Sequence, residues 1–209
     1  MNNIRMKWII ANFIGFTIGG ILHPIIAHGL TGAHEFWLNL PQFAMHTMGF
    51  FALGLSIAAA QRKALKPFVQ LGLGNVLLKA ALMVCGFWVG YYTGGIPVDI
   101  ILGFTVLGVV GGLELRGKIH RAKQWMWASA AGYAAASLIL IAVLAPSVET
   151  LFATFGRGLL GDLSLWIAIS AIGGAAAGLI TAPFLAKSLQ PASETMASTE
   201  LTNAFEHSL

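Results

Sequence analysis

Residues 8–30 read WIIANFIGFTIGGILHPIIAHGL, an apolar run with no Lys, Arg, Asp or Glu in it. The hydrocarbon core of a bilayer is about 30 Å thick and takes about 20 helical residues to cross. This run is long enough to cross. Arg5 and Lys7 precede it, as in a signal peptide, but it continues without a small-x-small cleavage site and reads as an uncleaved anchor. Five further runs have the same character, at 41–60, 68–92, 97–113, 125–145 and 163–186. The expected fold is all-α: a six-helix transmembrane bundle over residues 1–187, with a tail at 188–209 too polar to bury a core and therefore disordered.

Composition agrees. Of 209 residues, 57% are apolar and 10% charged, with a mean hydropathy of +0.78. A water-facing surface needs roughly 25% charged residues, so most soluble enzyme classes are excluded. The net charge of +4 does not indicate nucleic-acid binding, because the basic residues lie between apolar runs rather than in a patch with aromatics. One cysteine, Cys85, excludes an intrachain disulfide framework.

The charges also orient the spans. Arg5, Lys7, Arg62, Lys63, Lys66, Arg116, Lys118, Arg121, Lys123 and Lys187 fall on one side of the membrane and Arg157 alone on the other. The positive-inside rule then puts both termini on the cytoplasmic or stromal side, in a thylakoid or plasma membrane. Trp8, Trp37, Trp88, Trp125, Trp127 and Trp166 fall in outer loops or near span ends, where an indole is expected to bury its ring and keep its N–H wet. The outer loop 146–162 has room for a short interfacial helix.

The second, fourth and sixth runs carry glycine pairs at one spacing: Gly49 and Gly54, Gly103 and Gly108, Gly173 and Gly178. Phe50, Leu53 and Arg62 align with Phe104, Leu107 and Arg116, while Trp8, Ala11, Asn12 and Gly15 align with Trp125, Ala128, Ser129 and Gly132. Gly74 and Asn75 echo this pattern in the third run. The chain thus reads as three tandem parallel hairpins, with units 1–66, 67–123 and 124–187. Small residues four apart, such as Gly15 and Gly19 or Gly174 and Gly178, let helix backbones approach closely, which lipid-embedded bundles need.

Residues 8–20, 49–62, 103–116 and 125–132 resemble small glycine-rich polytopic membrane proteins of cyanobacterial type, with repeated Trp-x-x-Ala and glycine-rich helices ending in Gln or Leu then Arg. The resemblance implies a photosynthetic or plasma membrane location and carries no activity with it.

Function is expected where one unit departs from its siblings. Unit one alone has His23, His28, His34 and His46, all toward the outer face, with Glu35 and Asp99 at similar depth. Neutral imidazole binds divalent metals, haem iron or the magnesium of chlorophyll, and carboxylates add or orient ligands. These six residues are the candidate metal set, and His23 and His46 on facing helices are the candidate cofactor ligands. Interfacial hydrogen bonding is the plainer role for the same histidines.

Lys79 is the second departure, with Phe16 and Tyr133 at its matching positions. An intramembrane ammonium is expected to face the bundle interior beside Asn75, Asn12 or Tyr133, or to snorkel to the basic side. Asp99 and Glu114 read as too near opposite surfaces to reach it, and Lys79→Met is expected to insert normally. No paired carboxylates, Ser-His-Asp set or phosphate-cradling loop occurs, so the chain is expected not to be an enzyme. It reads as an accessory or scaffold subunit that associates with lipid, other membrane subunits or itself. A small-solute or ion transporter or channel is the alternative, weighed lower because transporters usually need broken helices and several intramembrane polar groups, and outside Lys79 and Pro24 this chain has few.

Overall fold

In lipid no water can satisfy a bare peptide group, so a spanning segment must satisfy its backbone internally, and an apolar chain of this kind folds into helices. The computed structural model describes residues 2–29, 40–156 and 158–189. It contains seven α-helices: α1 (Asn2–Gly29), α2 (Leu40–Leu65), α3 (Leu73–Gly94), α4 (Ile96–Glu114), α5 (Ala122–Leu144), α6 (Val148–Phe155) and α7 (Leu159–Ser188). A 3₁₀ turn over Ala145–Ser147 leads into α6, and no strand occurs among the described residues.

Five helices, α1, α2, α3, α5 and α7, are long and apolar enough to cross a membrane, consistent with an integral membrane protein. The helix over the expected fourth run, α4, is 19 residues long and is not among the five. The short α6 falls in the loop 146–162, where a short helix was expected. The expected tail at 188–209 begins slightly late, since α7 runs through Ser188, which is buried. The rest of that tail, 190–209, lies outside the described residues.

Small residues lie at several of the helix approaches. The first glycine of each pair in α2, α4 and α7 meets the preceding long helix and the second meets another. A Cβ at Gly49 would lie 2.8 Å from the His23 ring, at Gly103 2.6 Å from the Phe87 ring and at Gly173 3.7 Å from Leu140 Cδ2. One at Gly54 would fall 2.8 Å from Ala80 Cα, at Gly108 2.5 Å from Ala130 N and at Gly178 2.9 Å from Ile9 Cα. A Cβ at Gly15 or Gly19 of α1 would fall 2.9 Å from Ile57 Cα or 2.8 Å from Leu53 Cα of α2, and Gly174 lies against Phe16. Contacts therefore run in a circuit, α1 to α2, α3, α4, α5, α7 and back to α1. Between α3 and α4 the chain reverses at Gly95, whose φ of 75° is left-handed and suits a residue without Cβ.

Two apolar clusters fill the interior. One gathers Phe16, Phe50, Leu53, Ile57, Phe87, Phe104, Leu107, Tyr133, Leu140 and Ile169. The other gathers Trp8, Leu65, Leu71, Leu115, Trp125 and Leu185 at the end where the basic residues lie. Outward faces carry large apolar side chains, among them Ile10, Leu78, Val89, Leu138 and Leu179, as lipid contact requires.

The tryptophans correct one expectation. Trp8 and Trp125 are not interfacial: they are 3% and 1% exposed and meet edge to face at 5.5 Å. Trp37 lies outside the described residues, whereas Trp127 is exposed as expected.

Candidate functional site: a polar layer between the two cores

Where the two apolar clusters meet, polar side chains from six helices join. Lys79 of α3 lies 2.7 Å from the carboxylate of Glu114, the last residue of α4, with the two side chains 3% and 7% exposed. Its Nζ also donates to Gln61 Oε1 of α2 at 3.2 Å. The Gln61 amide donates to Asn12 Oδ1 of α1 at 2.9 Å and to the Tyr133 hydroxyl of α5. Tyr133 donates in turn to Asn12 Oδ1, and Asn12 Nδ2 donates to the Trp8 carbonyl at 2.9 Å. Trp8 closes the series by donating from its indole to Thr181 Oγ1 of α7 at 2.8 Å.

Each link satisfies a group that would otherwise be bare in a low-dielectric interior, and chained hydrogen bonds of this kind polarise one another. Glu114 is the costliest member. A carboxylate at a helix C-terminus opposes the helix dipole, and here it is also out of water, so Lys79 must offset both effects. Gly111, one turn earlier on α4, leaves the space: a Cβ there would stand 3.6 Å from Lys79 Nζ.

This arrangement overturns the exclusion of Glu114 as a partner. A third span starting at residue 68 would put Lys79 halfway across. The helix begins at Leu73, so Lys79 is in its second turn, about 9 Å from the start, level with the end of α4. Of the other expected partners, Asn12 and Tyr133 belong to the same network through Gln61, while Asn75 is half-buried and is bonded to none of these groups. Sequence reading missed Gln61 and Glu114. Each lies next to, or two before, an arginine that reads as a span boundary. Yet Gln61 continues the buried stripe Leu53, Ile57, and Glu114 continues Leu107, Val110, at the three- and four-residue spacing of one helix face.

The histidine end is built differently. His23 of α1 is 1% exposed and has the rings of Trp166 at 4.0 Å, Phe50 at 4.6 Å and His46 of α2 at 5.6 Å. The facing of His23 and His46 is as expected. Rings at these distances are in contact, however, so a haem or chlorophyll between the imidazoles would have to displace them, and the packing does not fit a macrocycle. Asp99 is buried in the first turn of α4, against Gly90 of α3. Among the described residues no three His, Cys, Asp or Glu side chains gather as metal ligands. The side chain of His28, together with His34 and Glu35, lies outside the described residues.

Comparison with protein-family models, curated proteins and solved structures finds no match, so function has to be read from the geometry.

Proposed function

We propose that this membrane protein carries a small polar solute or ion across the bilayer, with Lys79, Glu114, Gln61, Asn12 and Tyr133 as its binding residues. The observation that carries the proposal is the buried Lys79–Glu114 pair. A buried ion pair is a poor device for stability, because well-packed apolar residues of similar volume do as well or better. In a membrane interior such charges mark solute and proton paths. From sequence, transport stands second because broken helices and intramembrane polar groups are few; seven polar or aromatic donors and acceptors in one network answer the second of these grounds. No residue is proposed as catalytic.

The topology that goes with this reading has α4 as the fourth of six spans in three tandem hairpins, both termini on the cytoplasmic or stromal side. The alternating contacts of the six paired glycines support the hairpin order, and the positive-inside charge bias supports the side of the termini. Cysteine labelling tests it after Cys85→Ser, since Cys85 is exposed on the lipid side of α3. Labels at positions 63 and 157 are expected from opposite faces, and labelling of both from one face would rule out six spans. Transport itself is tested by solute flux in proteoliposomes against protein-free vesicles.

The accessory or scaffold subunit is the second reading. It is favoured by the glycine approaches, which leave helix backbones touching where an aqueous path would have to run. A partner that co-purifies stoichiometrically, with no flux in proteoliposomes, would decide for it.

A further inference from the structure

The charge arithmetic of the polar layer restricts what it can admit. Lys79 and Glu114 neutralise each other at 2.7 Å and are almost wholly removed from solvent. The groups facing them are uncharged: the Gln61 amide, and beyond it the Asn12 amide and the Tyr133 hydroxyl. A solute that entered with a single positive charge would take Glu114 and leave Lys79 bare. One with a single negative charge would take Lys79 and leave Glu114 bare. Either outcome strands a charge in a medium that cannot solvate it, at a cost equivalent to about 100-fold or more in affinity. A neutral solute has nothing to offer that the two side chains do not already give each other.

Only a solute with both charges can part the pair and leave neither side chain alone. We infer that the Lys79–Glu114 pair is a binding site for a small zwitterion of the amino-acid type. The solute carboxylate replaces Glu114 at Lys79 Nζ, and the solute ammonium replaces Lys79 at the Glu114 carboxylate. Gln61, already an acceptor to Lys79, is placed to accept from the ammonium. The absence of a side chain at Gly111, where a Cβ would stand 3.6 Å from Nζ, keeps this side of the pair uncrowded. The nearer side for entry is the basic end, since Glu114 terminates α4 and Lys79 lies in the second turn of α3.

This inference rests on the transport reading, and its test separates the two. Glycine is the zwitterionic probe, with tetramethylammonium and methanesulfonate as singly charged probes. On the purified full chain, glycine is expected to change tryptophan emission saturably, because Trp8 belongs to the network. Neither singly charged probe is expected to do so. The variant K79M/E114L removes both charges together and is expected to fold and to lose the glycine response. Glycine acting equally on that variant overturns the site. In proteoliposomes, saturable uptake of tetramethylammonium or methanesulfonate without glycine overturns the zwitterion assignment and leaves transport standing. Glycine bound but not moved keeps the site and overturns transport. No binding and no uptake of any probe overturns both.

Discussion

The two ends of the interior bury polar residues by different means. At one end, His23 sits among Trp166, Phe50 and His46, and aromatic packing encloses it. At the other, Lys79 and Glu114 lie within a series of bonds in which every long helix takes part. His23 is packed by aromatic rings tilted against its own. A buried charge needs an opposite charge with further hydrogen bonds around it. The histidines are conspicuous in the sequence, yet among the described residues no three His, Cys, Asp or Glu side chains gather as metal ligands. The inconspicuous Gln61 and Glu114 are the residues that make Lys79 tolerable.

The contrast is broken or sharpened most strongly at the ion pair. Lys79→Met or Glu114→Leu alone is expected to cost about 3–5 kcal/mol, because each strands the other charge. Lys79→Met, expected from the sequence to insert normally, is with Glu114 as its partner expected to lose stability as well. The double variant K79M/E114L is expected to match or exceed the parent in stability. Thermal unfolding in detergent of all four proteins gives the coupling; additive single effects would mean that the pair does not interact.

At the aromatic end, His23→Ala is expected to cost about 2 kcal/mol through the cavity it leaves, whereas exposed His120→Ala should change stability by under about 0.5 kcal/mol. The visible absorption of the purified protein is expected to be the same with His23 and His46 both replaced by Ala. A pigment band lost in that variant would show that the rings open around a macrocycle after all.

Helix approach comes next. Gly108→Ala would place a methyl group 2.5 Å from the Ala130 backbone and is expected to cost about 1–3 kcal/mol by forcing α4 from α5. Gly74→Ala, with nothing within 4 Å, is the control and should be neutral or slightly stabilising. The smallest effect is expected at the edge of the polar layer. Thr181→Val keeps the shape and removes the acceptor of the Trp8 indole, at about 1 kcal/mol, with a shift in tryptophan emission as the direct readout.

Membrane character, the five long apolar helices and the short α6 were all legible in the linear sequence. Hydropathy over about 20 residues is a local quantity, and lipid requires each segment to satisfy its own backbone. The glycine pairs were legible for the same reason, since spacing along one helix defines a face before any partner is known. Pairing was not legible. Whether Lys79 meets Glu114 or Asn75 depends on where α3 begins to within one turn, about 5 Å, and on which helix lies beside it. Hydropathy blurs the first and is silent on the second. Trp8 and Trp125 teach the same lesson, because a residue near a span end is interfacial or buried according to the neighbour it finds. Composition and periodicity thus determined that the chain folds as lipid-facing helices. Only the packing of those helices decided which polar groups share the interior, because a contact between residues 79 and 114 is a property of two helices at once.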